Sequence, residues 1–279
     1  MGYRFIAFLL KCVVTTTLLQ TTQGLADEDP AAFRQIVADE VARYDNGGTA
    51  ALDARFADTA PEKAMIIYND VIRYLYWNRF DIDSVVSLSE HAIDWGNLQL
   101  ESADEKTKEN ITSRIRAIHY NLASFTWPGW GGGKQPITLT PENRKAGLNA
   151  ARRNVEIHQQ LKSPGKKMGN GLWMLGAHEL AAGNHAVARQ TFQQFLTLAK
   201  KEDVDQARFA EGWLYVVDLL TGVNEAASRK SLDEIVVKLS ETKEGKFFAD
   251  QYGRALTALA QTPCETVLFC KNEICSCQP

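Results

Sequence analysis

Hydrophobic residues recur at every third or fourth position along most of this chain, a spacing that is typical of amphipathic helices. The clearest example lies between Gly171 and Lys200, where two such stretches flank the dipeptide Gly183-Asn184. A glycine that directly follows a periodic stretch indicates the end of a helix. The segment is therefore predicted to form two antiparallel helices joined by a tight turn.

The residue types at four points of this segment follow a known order. The pair Leu175-Gly176 lies on the first predicted helix, Gly183 lies in the turn, and Ala188 and Phe192 lie on the second helix. In this order and spacing, residues 171–200 resemble a tetratricopeptide repeat. In that family, a leucine-glycine pair, a turn glycine, a small residue and an aromatic residue at these points let the two helices pack closely.

The resemblance implies an all-α fold in which antiparallel helical hairpins stack into a right-handed superhelix. It also implies a non-catalytic scaffold that binds a protein or peptide partner in a groove formed by the first helices of the hairpins. Two positions depart from the family, because Glu179 stands where a tyrosine is usual and Phe195 where a small residue is usual. A fold does not define a function, so a helical enzyme or small-ligand-binding protein stays open as the alternative.

Similar periodicity predicts helices on both sides of this segment. An N-terminal helical segment covers residues 27–60, with a helix that ends at Asn46-Gly47-Gly48, and the repeat domain covers residues 61–262. Ser102 and Glu105 have the spacing of a capping box at the start of a helix. The further helices predicted in the repeat domain are 61–76 with 85–95, 105–125 with 140–161, 203–221 with 225–239, and a terminal helix over 247–259.

A loop at residues 127–139 interrupts this pattern with two prolines, four glycines and two tryptophans. Trp127, Trp130 and Lys134 are candidate partner-binding residues, because exposed aromatic side chains supply a large contact area. In the alternative, the tryptophans fold back onto the helices and fasten the loop. Trp173, on a first helix, presents the same choice between lining a groove and filling the core. The small-ligand hypothesis places its site under the loop from Trp127 to Lys134.

Composition and charge narrow the function classes. The chain has 279 residues, of which 45% are hydrophobic and 23% charged, with a net charge of -3. These values are ordinary for a globular protein. The slightly acidic balance argues against nucleic acid as a partner, since phosphate binding requires a concentrated basic surface.

The first 26 residues have the pattern of a secretory signal peptide. Arg4 precedes an apolar centre, and the small residues Gly24 and Ala26 suit cleavage before Asp27. Lys11 interrupts the apolar centre, and a short N-terminal anchor stays open as the alternative. The pattern predicts an exported protein, periplasmic or extracellular, without stable membrane insertion after cleavage of the signal peptide.

The last residues, 263–279, form a small cysteine-rich tail. Its four cysteines are Cys264, Cys270, Cys275 and Cys277. An even number of cysteines in an exported chain indicates two disulfides, whose connectivity the sequence leaves open. A zinc site with four thiolate ligands is the rival interpretation, although such sites usually have paired CxxC motifs, which this tail lacks.

The chain lacks a complete catalytic motif. His178-Glu179 begins like the zinc motif HExxH, but Ala182 occupies the place of the second histidine. The glycines before Lys134 resemble a phosphate-binding loop, but Pro128 and Gln135 replace residues that such a loop requires. We therefore expect no metal and no cofactor. The sequence favours an exported, non-catalytic scaffold.

Overall fold

A computed structural model describes residues 30–130 and 137–260. The proposed signal peptide, Lys134 and the four cysteines of the tail lie outside the described residues. Within these ranges the protein is all-α, without a strand, which confirms the all-α part of the predicted fold class. The ten α-helices of the described residues are α1 (Pro30–Phe56), α2 (Pro61–Tyr74), α3 (Ile82–Leu100), α4 (Glu105–Phe125), α5 (Pro141–Gln160), α6 (Gly165–Ala181), α7 (His185–Ala199), α8 (Val204–Thr221), α9 (Glu225–Leu239) and α10 (Lys243–Ala260).

Each helix packs against the helices that precede and follow it in the sequence. Short connections, which join all of these neighbours except α4 and α5, make them antiparallel. The helix pairs expected from the sequence correspond to α2 with α3, α4 with α5, α6 with α7, and α8 with α9. Alternate helices also touch, since α4 contacts both α2 and α6, and α3 contacts α5. The terminal helix α10 packs on α8 and on a short 3-10 turn, Pro128–Trp130, in the loop after α4.

Four of the described helices, α3, α4, α5 and α8, begin at a side chain that accepts from a free backbone N–H group. Asp81 and Asp203 accept such bonds before α3 and α8. Thr140 and Asn143 form a reciprocal capping box at the start of α5. The cap before α4 is Asp104, whose carboxylate accepts from the N–H of Thr107 at 2.8 Å. The helix thus begins at Glu105, after the cap, and the capping box expected from Ser102 is wrong.

The N-terminal segment α1 consists of two helices that meet at a kink. The first helix ends at Gly48, where φ is 63° and ψ is -155°, and a second helix then runs on to Phe56. Glycine adopts a positive φ without steric cost. The second half of α1 buries Leu52 and Phe56, and the Phe56 ring lies 4.9 Å from that of Tyr68 on α2. This burial holds residues 49–56 in a second helix, which the sequence did not predict, whereas the kink at Gly48 confirms the predicted helix end at Asn46-Gly47-Gly48.

Candidate functional site

The tryptophans of the loop lie against the helical core. Trp127 is 1% exposed, and its indole N–H donates to the backbone oxygen of Ala177 on α6 at 3.3 Å. The centre of its ring lies 5.0 Å from that of Trp130, 6.3 Å from Trp173 and 5.9 Å from Trp213 on α8. The structure therefore brings three of the four candidate partner-binding residues together in one aromatic cluster.

The low exposure of this aromatic cluster limits which of its residues a partner could contact. Trp173 is 4% exposed, so neither it nor Trp127 has surface for a partner to contact. Trp130 is half-buried, and its N–H donates to the backbone oxygen of Ser124 at 2.6 Å. Its ring packs against Phe247 on α10 at 6.4 Å. The arrangement favours the interpretation in which the tryptophans fasten the loop to the core.

An open groove of about 730 Å³ lies between the end of α5, the first half of α6, and α7. Met168, Leu172 and Leu198 give it an apolar floor, and Arg189 and Lys201 add positive charge. The lining contains no carboxylate. Four side-chain amides form much of its polar wall, and they belong to Gln159, Gln190, Gln193 and Gln194.

Three of these amides share one face of α7. Gln190, Gln193 and Gln194 are spaced by three and four positions, which brings them together on the helix surface. Each amide can donate and accept hydrogen bonds at once, as a peptide group does. These residues were not predicted as a site, because any helix that faces solvent carries a polar stripe. The signal that could have identified them is that three glutamines recur on one helix face with no charged residue between them.

The two positively charged side chains of the groove differ in their ion-pair partners. Arg189 forms an ion pair with Asp218 on α8. Lys201 has no carboxylate partner among the residues that the structure describes. The groove therefore holds one paired and one unpaired positive charge, and an acidic ligand would meet no repulsion from its lining.

A smaller cavity of about 300 Å³ lies where the end of the loop meets the turn before α3. Asp81 and Asp83 line it together with Ile137 and Thr140. Both carboxylates are already engaged, because Asp81 accepts from the N–H of Ser84 at 3.1 Å and Asp83 accepts from the amide of Asn143 at 3.2 Å. Asp81 thus caps α3, and Asp83 links α3 to the first turn of α5.

The residues of the incomplete zinc motif have structural roles. His178 is buried, and its Nε2–H donates to the backbone oxygen of Ala123 on α4 at 2.8 Å. Burial lowers the pKa of His178 to about 4, so the ring is neutral near pH 7. The carboxylate of Glu179 is also buried, and it accepts from Arg152 on α5 and from Asn184 in the turn before α7. Both side chains fasten α6 to its neighbours.

One hydrogen-bonded group around a carboxylate was not predicted, because the residues that form it are far apart in the sequence. Asp53 Oδ1 accepts from the hydroxyl of Tyr68 at 2.6 Å and from His91 Nε2 at 2.8 Å. A carboxylate only accepts, so Nε2 of His91 carries the proton. Burial, together with Asp53, raises the pKa of Tyr68 well above its usual value, which keeps the phenol protonated. The group holds the second half of α1 against α2 and α3.

Metal-ligating residues do not cluster in the described part of the chain, where no three His, Cys, Asp or Glu side chains come together. Over residues 30–130 and 137–260, no helix combines the length and the apolar character that crossing a bilayer requires. The sequence matches no protein-family model, and no curated protein is significantly similar to it.

Proposed function

We propose that this protein is an exported, non-catalytic scaffold whose helical pairs form a tetratricopeptide-like superhelix, and that its groove on α5, α6 and α7 binds an extended acidic peptide segment of a partner. The observation that carries the proposal is the groove itself, with its apolar floor, amide walls and lack of carboxylates. The resemblance of residues 171–200 to the repeat family adds to it, because those residues form most of the groove.

The chemistry of the groove fits a peptide. An extended segment exposes backbone N–H and C=O groups that require partners when they leave water. Gln190, Gln193 and Gln194 can supply both donors and acceptors, and Met168 and Leu198 can cover an apolar side chain of the segment. Lys201 can pair with an acidic side chain or a terminal carboxylate.

The place of the groove differs from the place that the resemblance implied. A groove on the first helices was expected, whereas this one lies largely on α7, the second helix of its pair. The alternative function, a small-ligand site under the loop, has less support. Trp127 packs between the described part of the loop and α6, and the carboxylates nearest the end of the loop already have hydrogen-bond partners.

The proposal can be tested by selecting random peptides displayed on phage against the immobilised full chain. We expect enrichment of peptides that contain Asp or Glu. Gln193→Trp, which fills the groove from the exposed face of α7, should lower the affinity of a selected peptide roughly tenfold or more.

The matched control is Gln160→Trp, a change at an exposed glutamine of α5 that does not line the groove. This variant should bind the selected peptide as the unaltered chain does. Failure to enrich any peptide, or equal binding by Gln193→Trp, would overturn the proposal.

A further inference from the structure

The groove on α5, α6 and α7 has two unlike ends. A Cβ at Gly169 would lie 2.8 Å from Phe195 Cε2, which places the start of α6 beside the end of α7. The apolar floor of the groove comes from the first two turns of α6, with Met168 and Leu172, and from the last turn of α7, with Leu198. Apolar side chains are therefore concentrated at the end of the groove that lies beside the last turn of α7.

The unpaired positive charge lies at this same end. Lys201 lines the groove just after α7, and its N–H donates to the backbone oxygen of Leu198 at 3.2 Å, which continues the turn. Three positions correspond to about 4.5 Å along a helix. An extended chain advances by about 3.3 Å per residue. An apolar side chain on the floor and a carboxylate on Lys201 would thus come from ligand residues one or two positions apart.

The opposite end of the groove favours a neutral group. Arg189 lies there, and its charge is already balanced by the carboxylate of Asp218 on α8. A second carboxylate would gain less at this end than at the unpaired lysine. Between the two ends, the amides of Gln190, Gln193 and Gln194 can bind backbone groups of any sequence.

The two charged side chains also set the length of the bound segment. Arg189 and Lys201 are 12 positions apart, by subtraction of their numbers. This separation corresponds to about 18 Å along a helix. An extended chain covers that distance with about five or six residues.

We propose that the segment bound in this groove is about six residues long and has its acidic residue at one end, one or two positions from an apolar residue. The acidic residue pairs with Lys201, the apolar residue covers Met168 and Leu198, and the other residues are recognised through their backbone. This inference rests on the proposed function and adds to it the length of the segment and the place of its acid.

The test is to select one library of random peptides displayed on phage against three full chains: the unaltered chain, Lys201→Gln and Lys200→Gln. On the unaltered chain, we expect enriched peptides to carry Asp or Glu one or two positions from a large apolar residue. Lys201→Gln should abolish this preferred spacing. Lys200→Gln is the matched control, because Lys200 is exposed but does not line the groove, and it should keep the spacing.

The most enriched peptide then tests the place of the acid directly. Exchanging its acidic residue with the residue at the other end of the six-residue core keeps composition and net charge. This exchange should weaken binding to the unaltered chain roughly fivefold, as measured by fluorescence anisotropy at low salt. The same exchange should have no effect on binding to Lys201→Gln, and trimming the peptide to the core should preserve its affinity.

The outcomes separate this inference from the proposed function. Enriched peptides without the preferred spacing would overturn the inference and leave the groove as a peptide site. The same holds if the spacing persists in Lys201→Gln, or if the exchanged peptide binds as tightly as the original. Failure to enrich any peptide would overturn the proposed function, and this inference with it.

Discussion

Gly176 on α6 faces the ring of Phe192 on α7 so closely that a Cβ at this glycine would lie 2.6 Å from Phe192 Cε1. The Phe192 ring cannot move away easily, because it is stacked on Trp213 with ring centres 5.2 Å apart. We therefore expect Gly176→Ala to lower the free energy of unfolding by about 1–3 kcal/mol, the usual cost of overpacking a core. Urea unfolding followed by circular dichroism measures the change.

Gly253 provides the matched control for this substitution. It lies in α10, is exposed, and has no atom within 4 Å of the place that a Cβ would occupy. Gly253→Ala should raise stability by about 0.5–1 kcal/mol, because alanine favours the helix. Equal effects of the two substitutions would contradict the close approach of α6 and α7.

Trp127 should contribute more to stability than its place in a loop implies. Its ring is buried among other tryptophans, and its N–H binds the backbone of α6. Trp127→Ala should cost about 3–5 kcal/mol in urea unfolding, as for other buried aromatic side chains. Trp127→Phe, which keeps a ring but loses the N–H, should cost less. A Trp127→Ala variant as stable as the unaltered chain would show that the loop does not pack in this way.

The buried carboxylate of Glu179 should stabilise the protein through its contacts with Arg152 and Asn184. Glu179→Gln turns one acceptor into a donor that faces Arg152 or Asn184, so a loss of about 1–3 kcal/mol in urea unfolding is expected. Glu156→Gln is the control, since Glu156 pairs with Arg153 on an exposed surface. That change should stay within about 0.5 kcal/mol. Similar losses in both variants would refute the importance of burial at Glu179.

Stability should fall in mild acid because two histidines are buried in their neutral form. Burial lowers the pKa of His178 to about 4 and that of His158 to about 3. Histidine in an unfolded chain has a pKa of about 6.5, so the unfolded state takes up protons first as the pH falls. The stability that the neutral rings contribute is complete above about pH 6.5 and is lost as the pH falls from there to about 4 for His178 and about 3 for His158.

Urea unfolding at pH 7.5, 6 and 5 measures this loss. Well below pH 6.5, each histidine should contribute a slope of roughly 1.4 kcal/mol per pH unit. His178→Asn keeps a donor for the backbone oxygen of Ala123 but does not titrate, so its slope should be shallower. An unchanged slope in this variant would contradict the neutral, buried state of His178.

Helical periodicity predicted the helices and most turns, because the period depends only on which side of each helix is buried. Gly183 lies in the turn between α6 and α7, as the sequence indicated, and its φ of 77° explains why a glycine is needed there. Periodicity did not predict a helix where the residues are buried by a segment that is distant in the sequence. The helical conformation after Gly48 depends on contacts of Leu52 and Phe56 with the core, and these contacts leave no local signal.

The candidate sites were harder to predict for a related reason. His91 and Asp53 are 38 positions apart, and His158 and Arg116 are 42 positions apart. In the sequence, each histidine is an isolated polar residue. The helical period identifies the face of the helix on which it lies, but not the residue on another helix that it contacts. The tryptophans of the loop illustrate the same limit, since one residue type serves equally well in a core and at an interface.

The contact between Trp130 and Phe247 changes how this chain should fold and unfold. In an array with contacts only between adjacent helices, a terminal helix can detach without disturbing the middle. Here α10 is also held by a turn that follows α4, so its release exposes the tryptophan cluster as well. The two segments are far apart in the sequence, and joining them early costs loop-closure entropy. This contact raises the contact order of the chain, which slows folding and makes the two halves unfold together rather than one after the other.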